Sequence, residues 1–242
     1  MTTRYLSLRH WLRVLVPSTC ALCGGGCDDV VCDACRGAYA ARRPMCCGQC
    51  ANPLPGAATA TTVCGACLSN PPAFDATVAA VDYAIPLDQL VLQLKFGARL
   101  ALAPWFARQI RDAVLARPGL PLPDLLCPVP LGPARLVERG FNQALEIARP
   151  LAAALGVPCH PALALRTLDT PAQSGVAPSV RAKNVRGAFA IEDPDLVAGS
   201  HVGLVDDVMT SGHTLGELAA TCKRFGAARV TNLVFARTPP HP

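Results

Sequence analysis

Val202-Gly-Leu-Val-Asp-Asp-Val-Met-Thr-Ser-Gly-His-Thr-Leu215 decides how this chain is read. An apolar strand over Val202–Val205 runs into two adjacent acids, Asp206 and Asp207. A small polar loop follows, Thr210-Ser-Gly-His-Thr214, and then a helix predicted over His213–Phe225 and closed by Gly226. A helix N-terminus with free amides and the positive end of its dipole is a ready site for phosphate. Gly212 lets the backbone come close to an anion, and the hydroxyls of Thr210, Ser211 and Thr214 add donors. Two carboxylates at the carboxyl end of a strand suit a vicinal diol such as a ribose offers, or a metal held through water. That end of a parallel strand is where open α/β sheets bind ligands. An N-capped strand-to-helix turn alone would be commonplace; the acid pair in front of it is what singles it out. His213, at a helix N-terminus that disfavours imidazolium, reads as a loop residue and not as a catalytic acid.

Around this stretch strands and helices alternate. Strands are predicted at Thr77–Tyr83, Leu125–Val129, Phe189–Ile191 and Val230–Ala236. Helices are predicted at Leu87–Leu94, at Trp105–Ala116 with Pro104 as its opener, and at Asn142–Leu155 ended by Gly156. Such alternation argues for a mainly parallel sheet with helices on both faces.

Composition bounds the rest. The chain has 242 residues, 51% of them hydrophobic and 16% charged, which excludes a disordered polyelectrolyte. No apolar run reaches the roughly 18 residues of a membrane span. Arg9 and Arg13 interrupt the N-terminal segment, so it does not read as a signal peptide, and the cytoplasm is the expected compartment. Within it Tyr5, Leu8, Leu12 and Leu15 mark an amphipathic helix over residues 1–18, packed on the body of the protein or lying on a membrane surface.

Ten of the thirteen cysteines lie between Cys20 and Cys67. Eight form four C-x-x-C pairs: Cys20/Cys23, Cys32/Cys35, Cys47/Cys50 and Cys64/Cys67. Two such turns close a tetrathiolate, the geometry of structural zinc, so two Zn²⁺ sites are expected. Reduced cytoplasmic thiols argue against disulfides. Pairing of adjacent turns is simplest; interleaved pairing fits the same spacing. Cys27 and Cys46 lie close enough to replace a neighbouring ligand, whereas Cys127, Cys159 and Cys222 sit in apolar settings and read as core. Eight thiolates with two zinc ions leave about +1 of the formal net charge of +5, a weak footprint for nucleic acid. Only Tyr39 offers an aromatic face between Cys20 and Cys67.

Val205–Thr214 resembles the signature of type I phosphoribosyltransferases. Together with the four C-x-x-C pairs, Leu94-Lys-Phe96, Arg139-Gly-Phe-Asn-Gln143 and Arg181-Ala-Lys-Asn-Val-Arg-Gly-Ala-Phe189, it is similar to the competence protein F (ComF) family, from about Cys20 to Arg237. The resemblance implies a type I phosphoribosyltransferase-like α/β domain over 73–242, preceded by a double zinc ribbon over 19–72. It implies binding of 5-phosphoribosyl 1-diphosphate with Mg²⁺ and a link to DNA uptake in natural competence, with single-stranded DNA or a competence protein as a partner. Asp206 and Asp207 would hold the ribose hydroxyls, and Thr210, Ser211, Gly212, His213 and Thr214 the 5-phosphate. Val129 and Pro130 would face the diphosphate, with Lys95, Arg135 and Arg139 as cationic contacts. Gln173, Arg181 and Asn184 lie on the segment 166–187, which corresponds to a hood over the site. Thr210 stands where purine-salvage relatives carry an acid for the base, so the acceptor is left open and a non-catalytic sensor or nucleic-acid-binding adaptor is the alternative.

Overall fold

The computed structural model describes residues 18–40, 43, 45–54, 62–167 and 187–239. Residues 1–17 of the expected N-terminal helix, and Gln173, Arg181 and Asn184 of the expected hood, lie outside the described residues. Ser18, the last position of that helix, is instead part of β1 (Ser18–Thr19), which pairs antiparallel with β2 (Gly26–Cys27).

Two short helices, α1 (Asp33–Tyr39) and α2 (Gly65–Ser69), each start directly after a cysteine, Cys32 and Cys64 respectively. They are followed by β3 (Ala76–Asp82), α3 (Leu87–Phe96), α4 (Leu102–Leu115), β4 (Leu125–Pro128), α5 (Pro133–Arg139) and α6 (Gln143–Leu155). Then come β5 (Ala164–Arg166), β6 (Phe189–Ile191), α7 (Pro194–Val197), β7 (His201–Met209), α8 (His213–Arg224) and β8 (Arg229–Arg237). The central sheet has the order β3-β8-β7-β4 with every pairing parallel. β5 and β6 form a separate antiparallel pair.

Alternation along the strands divides the core in two, as period-2 side chains must. Leu126, Val205, Leu233 and Phe235 pack with α3, α4 and α6 on one face. There Phe106 stacks on Phe235 at 3.7 Å between ring centroids, with Trp105 edge-on to both. Leu125, Cys127, Leu204 and Val234 pack with α8 and the β5–β6 pair on the other. Gly203 leaves no room for a side chain: a Cβ there would come within 2.6 Å of Leu126 Cδ2 and 2.8 Å of Pro123 Cγ. The second group of cysteines joins the α8 face, while Cys20 and Cys35 of the first join the α4 face.

Three departures from the sequence reading bear on the site. β7 runs on to Met209, so both acids lie within the strand and not after it. Its last residues stay paired to β8 through Met209 and Arg237. α4 begins at Leu102, which makes Pro104 its third residue; an amide missing there removes no intrahelical bond. Finally α5 was not foreseen. It has no buried residue, so no apolar period marks it.

Candidate functional site

Four elements end around one cleft of about 280 Å³ beyond the carboxyl ends of β3, β4 and β7. Its walls include Asp206, Asp207, Thr210 and Thr214, with Lys95, Val129, Pro130, Arg135 and Gln143 opposite.

Asp207 is buried and held from two sides. Lys95 Nζ, near the end of α3, lies 2.6 Å from its Oδ2. Gln143 Nε2, at the start of α6, donates to its Oδ1 at 3.3 Å. Gln143 Oε1 in turn accepts from Arg139 Nη1, and the Arg139 guanidinium lies 5.4 Å from the centre of the Phe96 ring. The two sequence motifs Leu94-Lys-Phe96 and Arg139-Gly-Phe-Asn-Gln143 therefore converge on one carboxylate. Asn142, the N-cap of α6, donates from Nδ2 to the Val129 carbonyl at 3.1 Å and so fixes the turn after β4.

The two acids are electrostatically unlike. Burial works against ionisation of Asp207, but Lys95 and the hydrogen bonds it accepts hold its pKa below the usual carboxylate range. Burial, and then the charge on Asp207, push Asp206 well above that range. Without ligand Asp206 thus keeps a proton to higher pH than Asp207. Below about pH 4 the folded and unfolded chains both protonate Asp206. As pH rises from there through its folded pKa, the unfolded state ionises first and stability falls. Asp206→Asn, which cannot ionise, is expected to match wild type near pH 4 and to melt a few degrees higher at pH 7, in a thermal melt followed across pH. A variant that melts lower at pH 7 contradicts this electrostatic reading.

Beyond β7 the chain turns at Gly212, whose φ of +81° makes it the N-cap of α8 without a side-chain bond. A Cβ there would meet Met209 Cε at 2.6 Å. The Gly212 carbonyl accepts from Gly216 N at 2.7 Å, so the amides of His213, Thr214 and Leu215 have no intrahelical acceptor. Ser211 Oγ pairs with His213 Nδ1 at 3.0 Å. The loop thus presents amides and hydroxyls at the open end of a twelve-residue helix.

Not every expected residue lines the cleft. Ser211, Gly212, His213 and Arg139 do not; Arg139 stands behind Gln143. Tyr83, Leu131, Arg166 and Val208 do, and Leu131 directly follows the Val129-Pro130 turn expected to face the diphosphate. Tyr83 had a signal: it follows a parallel strand directly.

The cysteines pair as adjacent turns, Cys20/Cys23 with Cys32/Cys35 and Cys47/Cys50 with Cys64/Cys67. In each cluster the four Sγ atoms lie within 4.8 Å of one another. A tetrahedron with Zn–S bonds of about 2.3 Å has S···S edges of about 3.8 Å. Cys23 and Cys32 are 3.9 Å apart, and Cys50 and Cys64 3.6 Å, so both sets fit zinc. Amides already point at the first sulfur of each: Leu22 and Cys32 at Cys20, Cys50 and Cys64 at Cys47. Against burial, these bonds bring the Cys20 thiol down to about 6 and that of Cys47 to about 7. Cys27 and Cys46 belong to neither set: Cys27 donates to the Asp29 carbonyl, and Cys46 sits in a bridge with Pro53.

A parallel sheet with an acid pair and an open helix N-terminus at its carboxyl edge, preceded by two four-cysteine clusters that fit zinc, is the arrangement the family resemblance leads one to expect. The chain belongs to the competence protein F family. It is 31% identical over 196 residues to the Haemophilus influenzae protein named Competence protein F, covering 79% of this chain and 84% of that one. It is 38% identical over 211 residues to the DNA utilization protein YhgH of Salmonella typhi, covering 86% and 90%. The Escherichia coli K12 protein of the same name matches at 37% over the same span. No family model matches the chain. Among solved structures, the glutamine phosphoribosylpyrophosphate amidotransferase of B. subtilis aligns at 21% identity over 53% of this chain and 26% of its own, with a TM-score of 0.35. No helix among the described residues is long and apolar enough to cross a membrane.

Proposed function

We propose that this protein binds 5-phosphoribosyl 1-diphosphate with Mg²⁺ in the β7–α8 cleft and transfers its phosphoribosyl group to a nitrogen acceptor. The observation that carries this reading is the meeting of Lys95, Gln143 and the acid pair in one cleft with the open N-terminus of α8. Asp206 and Asp207 would accept hydrogen bonds from the ribose hydroxyls, and the Thr210–Thr214 loop would take the 5-phosphate. Lys95, Arg135 and the turn at Val129-Pro130-Leu131 would face the diphosphate. Mg²⁺ would neutralise charge on that leaving group. In the reaction the bond from C1 to the diphosphate oxygen breaks, a bond from the acceptor nitrogen to C1 forms, and the nitrogen loses a proton. The acid pair would stabilise positive charge on the ribose ring as the leaving group departs.

Thr210 at the place of the purine-handling acid favours a second reading, a sensor of phosphoribosyl diphosphate that acts through partners. The names of the relatives, competence and DNA utilization, support a role in the uptake or use of DNA under either reading. The test is a thermal melt of the zinc-loaded chain with Mg²⁺ and, in turn, phosphoribosyl diphosphate, ribose 5-phosphate or diphosphate. The intact substrate at about 100 times its Kd should raise the midpoint by roughly 5 °C or more, and each fragment less. No shift with any of the three sinks the proposal. A shift without diphosphate release in the presence of nitrogen acceptors favours the sensor.

A further inference from the structure

Arg237, the last residue of β8, is a buried cation outside the cleft walls. Its Nε donates to the Cys50 carbonyl at 3.0 Å. Its Nη1 donates to the carbonyls of Met209 at 3.1 Å, Thr210 and Thr238. One guanidinium therefore joins a C-x-x-C turn of the second cluster to the start of the phosphate loop. A trans peptide carries its C=O and the following N–H on opposite sides. Holding the Met209 and Thr210 carbonyls on Arg237 thus turns the amides of Thr210 and Ser211 away from it. A second link leaves the same turn: Gln49 Nε2 donates to the Phe74 carbonyl at 3.2 Å. The Phe74 ring lies 3.9 Å from where a Cβ on Gly212 or Gly216 would be.

We propose that Arg237 is a positioning residue that couples metal occupancy of the Cys47/Cys50/Cys64/Cys67 site to the shape, and hence the affinity, of the phosphate loop. This rests on the loop's being the 5-phosphate site. When zinc holds the Cys47–Cys50 turn, the Cys50 carbonyl fixes one edge of the guanidinium, and the other edge fixes the loop. Without the metal the turn loses its closure and the guanidinium loses a fixed partner. Binding free energies couple reciprocally, so a phosphate in the loop must also hold zinc more tightly.

The experiment follows zinc transfer from the two-zinc chain to a chromogenic chelator, with and without saturating ribose 5-phosphate. At equilibrium with the chelator, one of the two zinc sites of wild type should hold its metal roughly tenfold more tightly with the ligand present. Arg237→Met should keep both zinc ions, bind ribose 5-phosphate roughly tenfold more weakly, and lose the protection at saturation. A wild type that binds the ligand but holds both zinc ions with unchanged affinity overturns the coupling alone. So does an Arg237→Met chain that keeps full protection. If Arg237→Met does not fold, the wild-type comparison still decides. A folded wild type that binds neither ribose 5-phosphate nor phosphoribosyl diphosphate overturns the coupling together with the proposed function.

Discussion

Asp207→Asn should weaken binding of Mg²⁺-phosphoribosyl diphosphate roughly 10- to 100-fold and also lower the thermal midpoint. The affinity loss follows from removing charge-assisted hydrogen bonds to a ribose hydroxyl, each worth about 1.5–3 kcal/mol. The stability loss has a different origin. Lys95 Nζ lies 2.6 Å from Asp207 Oδ2 in a largely enclosed setting, and an amide leaves that ammonium without its counter-charge. Because Lys95 retains some contact with solvent, about 1–3 kcal/mol is the expected cost, less than for a fully buried pair. The sign with pH is fixed by the lowered pKa of Asp207. Its contribution is present above the unfolded carboxyl value and disappears as pH falls through the folded one, so wild type and Asp207→Asn should converge in acid. Asp206→Asn, one residue away, should stabilise the unliganded fold at pH 7. Opposite stability changes from neighbouring isosteric substitutions, read by melting, test the unlike electrostatics of the pair; the affinity loss, read by calorimetry, tests its role in binding.

Removing metal should have the largest effect of all. Structural zinc in small domains contributes on the order of 10 kcal/mol per site. The clusters here are continuous with the main core: Cys47, Cys50 and Cys67 pack with Phe74, Leu215 and Leu218, and Cys20 and Cys35 with the α4 face. The second cluster is further tied to the sheet by Arg43, which pairs with Asp82 and donates to the Ala51 carbonyl, and by Arg117, which donates to the Thr77 and Gly48 carbonyls. Elemental analysis should find two zinc ions per chain. A strong chelator should lower the midpoint by roughly 10 °C or more, with loss of the α1 and α2 helical signal. An unchanged melt after complete metal removal would show that the thiols brace the fold without metal.

The parts of the fold that were legible in the sequence are those whose chemistry is local. The acid pair, the Gly212 turn and the C-x-x-C spacing each carry their reason within a few residues. Strand–helix alternation was readable because the longer helices bury one apolar stripe and the central strands are apolar runs buried on both faces. What escaped the sequence depends on contacts between distant segments. β7 looked finished at Val205 because acids and hydroxyls end an apolar pattern, yet pairing with β8 carries it to Met209. Arg139 read as a ligand contact, but Phe96 and Gln143 draw it behind the cleft wall. Arg237 gave no sign, since its partners are carbonyls 28 and 187 positions away. Adjacent pairing of the cysteine turns required the folded sulfur positions, because interleaved turns have the same spacing.

The central claim is that the β7–α8 cleft holds phosphoribosyl diphosphate on its acid pair. Calorimetric titration of the two-zinc chain with Mg²⁺-phosphoribosyl diphosphate tests it most directly, using wild type beside the Asp206→Asn/Asp207→Asn double variant. Saturable binding at one site per chain, lost in the double variant with its zinc intact, is the predicted result. No heat of binding by a folded, zinc-loaded wild type, or equal affinity in the double variant, would contradict the account.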